Sequence, residues 1–335
     1  MQAIRRIAAG IAISALLISL SACVSTKTET PNHKAKTTAC LIRSVSQVPG
    51  TPEKQLAADL VEAQVVYGLA VREVQIPNGV VNISVRLLTA LQSGCVLMVS
   101  SNTAYLNDLA TFARLHSKMM VLFVGGSIAS VDQPANFRWV SDDQLSGAKL
   151  AGFAAAGIAK DDKVRLFIQP SYYQAKSMQE GFRAGVAEYN KISERNVALV
   201  IYNVKTAKDL TAALRLVEPD SVIALLAGKT IWQGLASSES AGLIVFAADI
   251  QFGNTQKVRD PRIIASLERD TSKVLLRAVS SLLERKIISN PKYRVSQTLK
   301  SNLIVLRTLD AGVFDGQLTE RLDAYKKALI SAKSN

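Results

Sequence analysis

The 335 residues carry 40 Lys and Arg against 27 Asp and Glu, a formal charge of +13, with three cysteines and two histidines. That length holds two lobes of ordinary domain size, each able to bury a core. The histidines, His33 and His116, leave no pair for a metal site or a histidine-dependent triad, and the scattered Lys and Arg, without interleaved aromatics, argue against nucleic acid as a partner.

The chain opens on Arg5-Arg6, an apolar run from Ile7 to Leu20, and then Leu20-Ser21-Ala22-Cys23. A basic start, a short apolar core and small residues before a cut mark a secretory signal and not a spanning helix. The tetrapeptide resembles the bacterial lipobox. That resemblance makes residues 1–22 a lipoprotein signal peptide, Cys23 the lipid-modified first mature residue and 23–38 a flexible Ser-, Thr-, Lys- and Pro-bearing tether. The alternative is an ordinary signal with an incidental cysteine. The expected place is the cell membrane, held by the lipid and facing outside the cytoplasm, where a basic chain lies beside an anionic surface.

From Thr38 onward strand-like and helix-like segments alternate. Ala39 to Val45 reads as a strand, and Thr51-Pro52 starts a helix with Thr as cap and Pro in the first turn. Leu56, Leu60, Ala63 and Tyr67 form its apolar stripe. Leu69 to Ile76, Cys95 to Val99, Met119 to Val124 and Phe137 to Val140 are further strands, with a helix at Ile83 to Leu91. Cys40 and Cys95 both open apolar runs. In neighbouring strands at matched register they come within disulfide reach, and an exported compartment permits the bond; two buried thiols are the alternative. A helix from Gln144 to Ile158, crowded with Gly147, Ala148, Ala151, Gly152 and Ala154 to Ala156, suits close backbone packing and marks the first crossover between lobes. A second series follows: strand Val164 to Ile168, helix Gln174 to Tyr189, strand Val197 to Tyr202 and helix Ala207 to Leu216. Repeated βα units of this kind make a doubly wound parallel sheet with right-handed crossovers.

The stretch from Ser221 to Val279 carries the candidate site. Two apolar strands, Val222 to Leu226 and Leu243 to Ala247, exit into Ala227-Gly228-Lys229-Thr230 and Ala248-Asp249. Polar residues at such exits lie along the carboxyl edge of a parallel sheet, where open α/β sheets bind ligands. Gly228-Lys229-Thr230 imitates the end of a phosphate loop, but that loop needs a glycine where Ile223 stands. The third run ends at Glu268-Arg269-Asp270, with a helix starting at Thr271 or Ser272, and an amphipathic helix from Leu318 to Ile330 closes the chain.

The order of motifs resembles the basic membrane protein family of substrate-binding lipoproteins, which includes purine-nucleoside receptors of ABC importers. The matching pieces are Gly147-Ala148-Lys149-Leu150-Ala151-Gly152, Gly181-Phe182-Arg183-Ala184-Gly185, Ala227-Gly228-Lys229-Thr230, Val245-Phe246-Ala247-Ala248-Asp249, Ser266-Leu267-Glu268-Arg269 and Asp310-Ala311-Gly312-Val313. The resemblance implies an α/β fold of the type I periplasmic-binding-protein kind: two doubly wound lobes, a three-strand hinge and a ligand closed between them. Lobe I is expected over 39–141 plus 267–290, and lobe II over 142–266 plus 291–335. It also implies that Asp249 matches the family's ribose-binding aspartate and that Arg269 stands in place of its lysine, a planar fork for a point donor. Three departures fall mostly in lobe I. The loop Ser44 to Pro52 lacks the family's acid and aromatic, Gly125-Gly126 replaces Asp-Gly, and Asn203-Val204-Lys205-Thr206 stands where an aromatic is expected.

The candidate ligand-binding residues are Asp249, Arg269, Trp232, Lys229, Gly228, Thr230, Asn102 and Tyr172. Most have a plainer role to set against them: capping or an ion pair with Arg269 for Asp249, an ion pair with Glu268 or Asp249 for Arg269, core packing for Trp232, a helix cap for Asn102, surface for Tyr172 and Tyr173, and solvent for Lys229. The function these expectations converge on involves no covalent chemistry and no cofactor. It is a lipid-anchored solute-binding protein delivering a small polar ligand, a nucleoside among the candidates, to an ABC permease. The contrasting expectation is an envelope or interaction lipoprotein that keeps the scaffold and has lost the ligand.

Overall fold

The computed structural model describes residues 37–46, 51–80, 82–125, 134–140, 143–236, 244–248, 262–283, 304–308 and 311–332. The signal segment, Cys23, most of the tether and Asp249 lie outside them.

The first lobe begins with β1 (Thr38–Ser44), α1 (Glu53–Tyr67), β2 (Ala70–Ile76), α2 (Ser84–Gln92), β3 (Cys95–Ser100), α3 (Leu106–Leu115), β4 (Met120–Val124) and β5 (Phe137–Val140). The five strands form one parallel sheet ordered β2-β1-β3-β4-β5. β1 is apolar on both faces because both are covered. Cys40 and Ile42 enter one core with α2 and α3, and Ala39 and Leu41 enter another with α1. The stripe of α1 falls as its spacing requires, with Leu56, Leu60 and Ala63 buried, and the helix ends at Gly68, whose left-handed backbone (φ 66°) lets its N–H reach the Gln64 carbonyl. Pro52, and not Thr51, occupies the cap position, and it offers no side-chain hydrogen bond. A proline side chain has no oxygen to accept from the first-turn N–H groups, although the Pro52 carbonyl accepts from Leu56 N–H at 2.8 Å.

The second lobe follows with α4 (Gln144–Ile158), β6 (Lys163–Ile168), α5 (Ala175–Ser193), β7 (Ala198–Asn203), α6 (Ala207–Leu214), β8 (Val222–Leu226), α7 (Lys229–Ala236), β9 (Ile244–Ala248) and β10 (Ile263–Arg269). The chain then returns to the first lobe as α8 (Ser272–Leu283), where Val274, Leu275, Ala278 and Val279 join the α1 core. It ends in the second as β11 (Ile304–Thr308) and α9 (Gly316–Ala332). The second sheet is ordered β11-β10-β9-β8-β6-β7, parallel except for β11, which runs antiparallel to β10.

The small residues of α4 let α5 approach to backbone contact. A Cβ on Gly185 would sit 1.9 Å from the Lys149 carbonyl oxygen, and one on Gly152 would sit 2.1 Å from that of Phe182. Cys40 and Cys95 are joined as a disulfide with their Cα atoms 5.9 Å apart. Cys95 is level with Thr38 across a register shift, so the link runs diagonally between β1 and β3. It closes a separation of 55 residues, which in the chain-entropy account is worth roughly 4 kcal/mol.

Candidate functional site

In parallel sheets every strand ends on the same side, so each lobe gathers its strand exits along one edge. The two edges meet. Gly125, at the exit of β4, has a positive φ of 116°, and a Cβ there would lie 2.7 Å from Tyr173 Oη and 3.6 Å from Pro52. Tyr173 follows β6, so a second-lobe side chain bears directly on first-lobe backbone at a position where both φ and space admit only glycine comfortably. Gln174 Nε2 donates to the Tyr173 hydroxyl at 2.9 Å, and the Arg269 guanidinium lies over its ring, 5.7 Å from the centroid, at cation–π distance.

Arg269 ends β10, buried at the same edge. Its neighbour Glu268 is engaged elsewhere, accepting from Ser266 Oγ and from Arg307 Nε, each at 2.9 Å. The Arg307 bond crosses the β10–β11 pair and takes up the carboxylate that sequence order offered to Arg269. Gly228 is buried after β8, and its N–H donates to Gln169 Oε1 at 2.9 Å, which commits an amide a phosphate loop would keep free. Lys229 opens α7, and Thr230 is exposed on it. Trp232 is half-buried, packs on the apolar cluster behind the sheet and donates its indole N–H to the Ala227 carbonyl at 3.0 Å. Asn102 Oδ1 accepts from Ala104 N–H at 3.0 Å and caps the short 3-10 turn that leads into α3. Tyr172 lies in the second-lobe core at 4% exposure, so of the adjacent tyrosines it is Tyr173 that reaches the other lobe. Asp249 lies outside the described residues, one step past β9.

The first-lobe edge carries polar groups that the loop composition did not reveal. Glu53, the first residue of α1, is 3% exposed, and its Oε2 has no hydrogen-bond partner among the described residues. Burial pushes its carboxyl up to about 7, while the Arg43 guanidinium and a backbone hydrogen bond from Ser44 pull the other way. Ser101, just past β3, is 1% exposed with an equally unpartnered Oγ. Arg43 Nη2 pairs with Glu73 at 2.6 Å, but its Nε is buried without a partner among the described residues. A buried polar atom left unpaired costs about 1–3 kcal/mol, so three at one edge are more than packing alone would keep. The signal in the sequence is Glu53 itself, the acid that directly follows Pro52.

A second buried carboxylate, Asp59, lies further along α1. It accepts from Thr271 Oγ1 and from Gln55 Nε2, and burial raises it to about 7. Thr271 is fully buried where the chain passes from β10 to α8, so this contact fastens a crossing between lobes to the first lobe. Among the described residues no group of three or more His, Cys, Asp or Glu side chains comes together as a metal site, and no helix is long and apolar enough to cross a membrane.

No family model and no curated protein matches the sequence. Solved structures do. A solute-binding protein of an ABC transporter system from Aeropyrum pernix K1 superposes with a TM-score of 0.63 at 15% identity, covering 89% of this chain and 86% of that one. A transcriptional activator of the comK gene from Bacillus halodurans gives 0.61 at 14% identity over 87% and 97%. A carbohydrate-transporter solute-binding protein from Agrobacterium radiobacter, in complex with D-arabinose, gives 0.54 at 15% identity over 86% and 99%. The chain has the α/β fold of the type I periplasmic binding proteins, an architecture shared by transporter receptors and gene regulators. At these identities the likeness extends to the fold alone.

Proposed function

We propose that this chain is the lipid-anchored solute-binding component of an ABC importer, taking a small polar ligand between its lobes and presenting the closed form to a permease. One observation carries the reading: the carboxyl edges of two parallel sheets meet at Tyr173 and Gly125, with buried polar side chains on both sides of that meeting. Such edges are where open α/β sheets hold ligands. The transporter receptors among the structural neighbours support the role, and the lipobox supports the anchor. In this reading Cys23 bears the lipid, Arg269 and Asp249 contribute polar contacts from the second lobe, and a nucleoside is one ligand to test. Ligand binding shifts an equilibrium between open and closed arrangements and involves no covalent chemistry.

Thermal unfolding of the full chain with nucleosides, sugars and amino acids tests this. A ligand that binds only the folded state raises the midpoint by mass action, by about 2.7 kcal/mol of stability at a hundred times its Kd. A solute that does so should lose most of its affinity in Asp249→Ala. No shift with any solute class would remove the transport reading and leave an interaction lipoprotein on the same scaffold.

A further inference from the structure

We infer that Glu53, Ser101 and Arg43 form the first-lobe half of the ligand site, and that the chemistry they select is a hydroxyl-rich solute. This deepens the solute-binding reading and rests on it.

The three residues come together by sheet geometry. Side chains alternate along a strand, and Leu41 on β1 and Val99 on β3 both enter the core beneath α1 and α8. Leu41 and Val99 are also level with one another in the sheet. Two residues beyond that last pair come Arg43, still on β1, and Ser101, one step past the end of β3, both at the carboxyl edge of the sheet. Glu53 comes to that edge from above, as the first residue of α1, with the Arg43 guanidinium among the charges it feels and a hydrogen bond from the Ser44 backbone. Pro52, immediately before it, lies against the Gly125 position where the second lobe arrives. Glu53 thus stands beside the contact between lobes, while Arg43 keeps 24% of its side chain exposed. Two of the three residues, Glu53 and Ser101, are more than nine-tenths buried and hold oxygens with no partner among the described residues.

The class of ligand follows from what the free atoms offer. Arg43 Nε can only donate, ionised Glu53 Oε2 can only accept, and Ser101 Oγ does either. A phosphate or carboxylate facing this set meets the Glu53 carboxylate, and an ammonium meets the Arg43 guanidinium. A pair of neighbouring hydroxyls gives and takes hydrogen bonds at once, and satisfies all three without burying a like charge. Because burial holds Glu53 near 7, its acceptor strength falls below neutrality, and affinity falls with it.

The experiment uses the full chain with D-ribose, D-arabinose, adenosine, L-leucine, glycine and inorganic phosphate as probes, by calorimetry at pH 6 and pH 8. The expected result is binding of a hydroxyl-bearing probe, tighter at pH 8. Glu53→Gln and Ser101→Ala should each weaken it at least tenfold, with the melting temperature of the ligand-free protein unchanged or higher. A residue kept only for structure would lower that melting temperature, and a drop in both variants overturns the proposal. Binding of any probe at wild-type affinity in both variants also overturns it while leaving the solute-binding reading intact. Binding of phosphate or an amino acid in place of the hydroxyl-bearing probes refutes the ligand class, and binding of none refutes this proposal and the solute-binding reading together.

Discussion

Asp59 shows how a single side chain ties chemistry to architecture. It accepts hydrogen bonds from Thr271 and Gln55, and burial, joined by the negative charges of Asp270 and Glu62, outweighs them, so its carboxyl is raised from 3.8 to about 7. A carboxyl raised on folding binds its proton more tightly in the folded state. Its contribution to stability is therefore complete below about 3.8 and is lost as pH rises through about 7. Glu53, on the same helix, acts in the same sense. The melting temperature should accordingly fall as pH rises from about 4 to about 7 and level off above that. Asp59→Asn keeps an acceptor for Thr271 without the charge and should recover about 2–4 °C at pH 8, the shift that roughly 1 kcal/mol makes at this domain size. An unchanged slope in that variant would place the titration elsewhere.

At the scale of elements, the packing of α4 on α5 is the most exacting contact in the second lobe. The helices touch backbone to backbone through Gly152, Gly181 and Gly185, where even a methyl group meets a carbonyl oxygen. Overpacking usually costs about 1–3 kcal/mol, and here the obstructing atoms are backbone, which cannot step aside as a side chain can. Gly185→Ala should lower the unfolding free energy by at least this much, read as a lower denaturant midpoint with little change in slope. Gly316→Ala, whose added Cβ would have nothing within 4 Å, serves as the control and should leave the midpoint nearly unmoved. The glycines and alanines of α4 announced this crossing in the sequence, because a run of small residues on a helix has few other uses. Its partner could not be read there, since which helix lies across α4 depends on the order of strands.

At the scale of the whole molecule, two covered sheets carry the polar residues of the proposed site at their carboxyl edges, and the described chain passes from the second sheet to the first-lobe core at Asp270–Thr271. The anchor belongs to this scale too. Cys23→Ser should move the protein from the membrane fraction to the soluble exported fraction without changing its melting temperature, and retention in the membrane would dismiss the lipobox reading. Strand positions, helix stripes and the two-lobed α/β plan were legible in the sequence because apolar periodicity reports burial directly: Leu56, Leu60 and Ala63 can face only a core, and Val222 to Leu226 can lie only inside a sheet. The second-lobe edge was legible in part, since a polar exit after an apolar strand must lie at a sheet's end; Arg269 does, while Trp232 and Asn102 satisfy backbone groups of their own lobes. What the tertiary structure alone decided was which polar groups are left without partners. Glu53 reads as an ordinary acidic first-turn residue and Ser101 as an ordinary turn residue until β1, β3 and α1 bring them to one edge. Whether a polar atom is satisfied is settled by neighbours far away in the chain, and no local pattern records them.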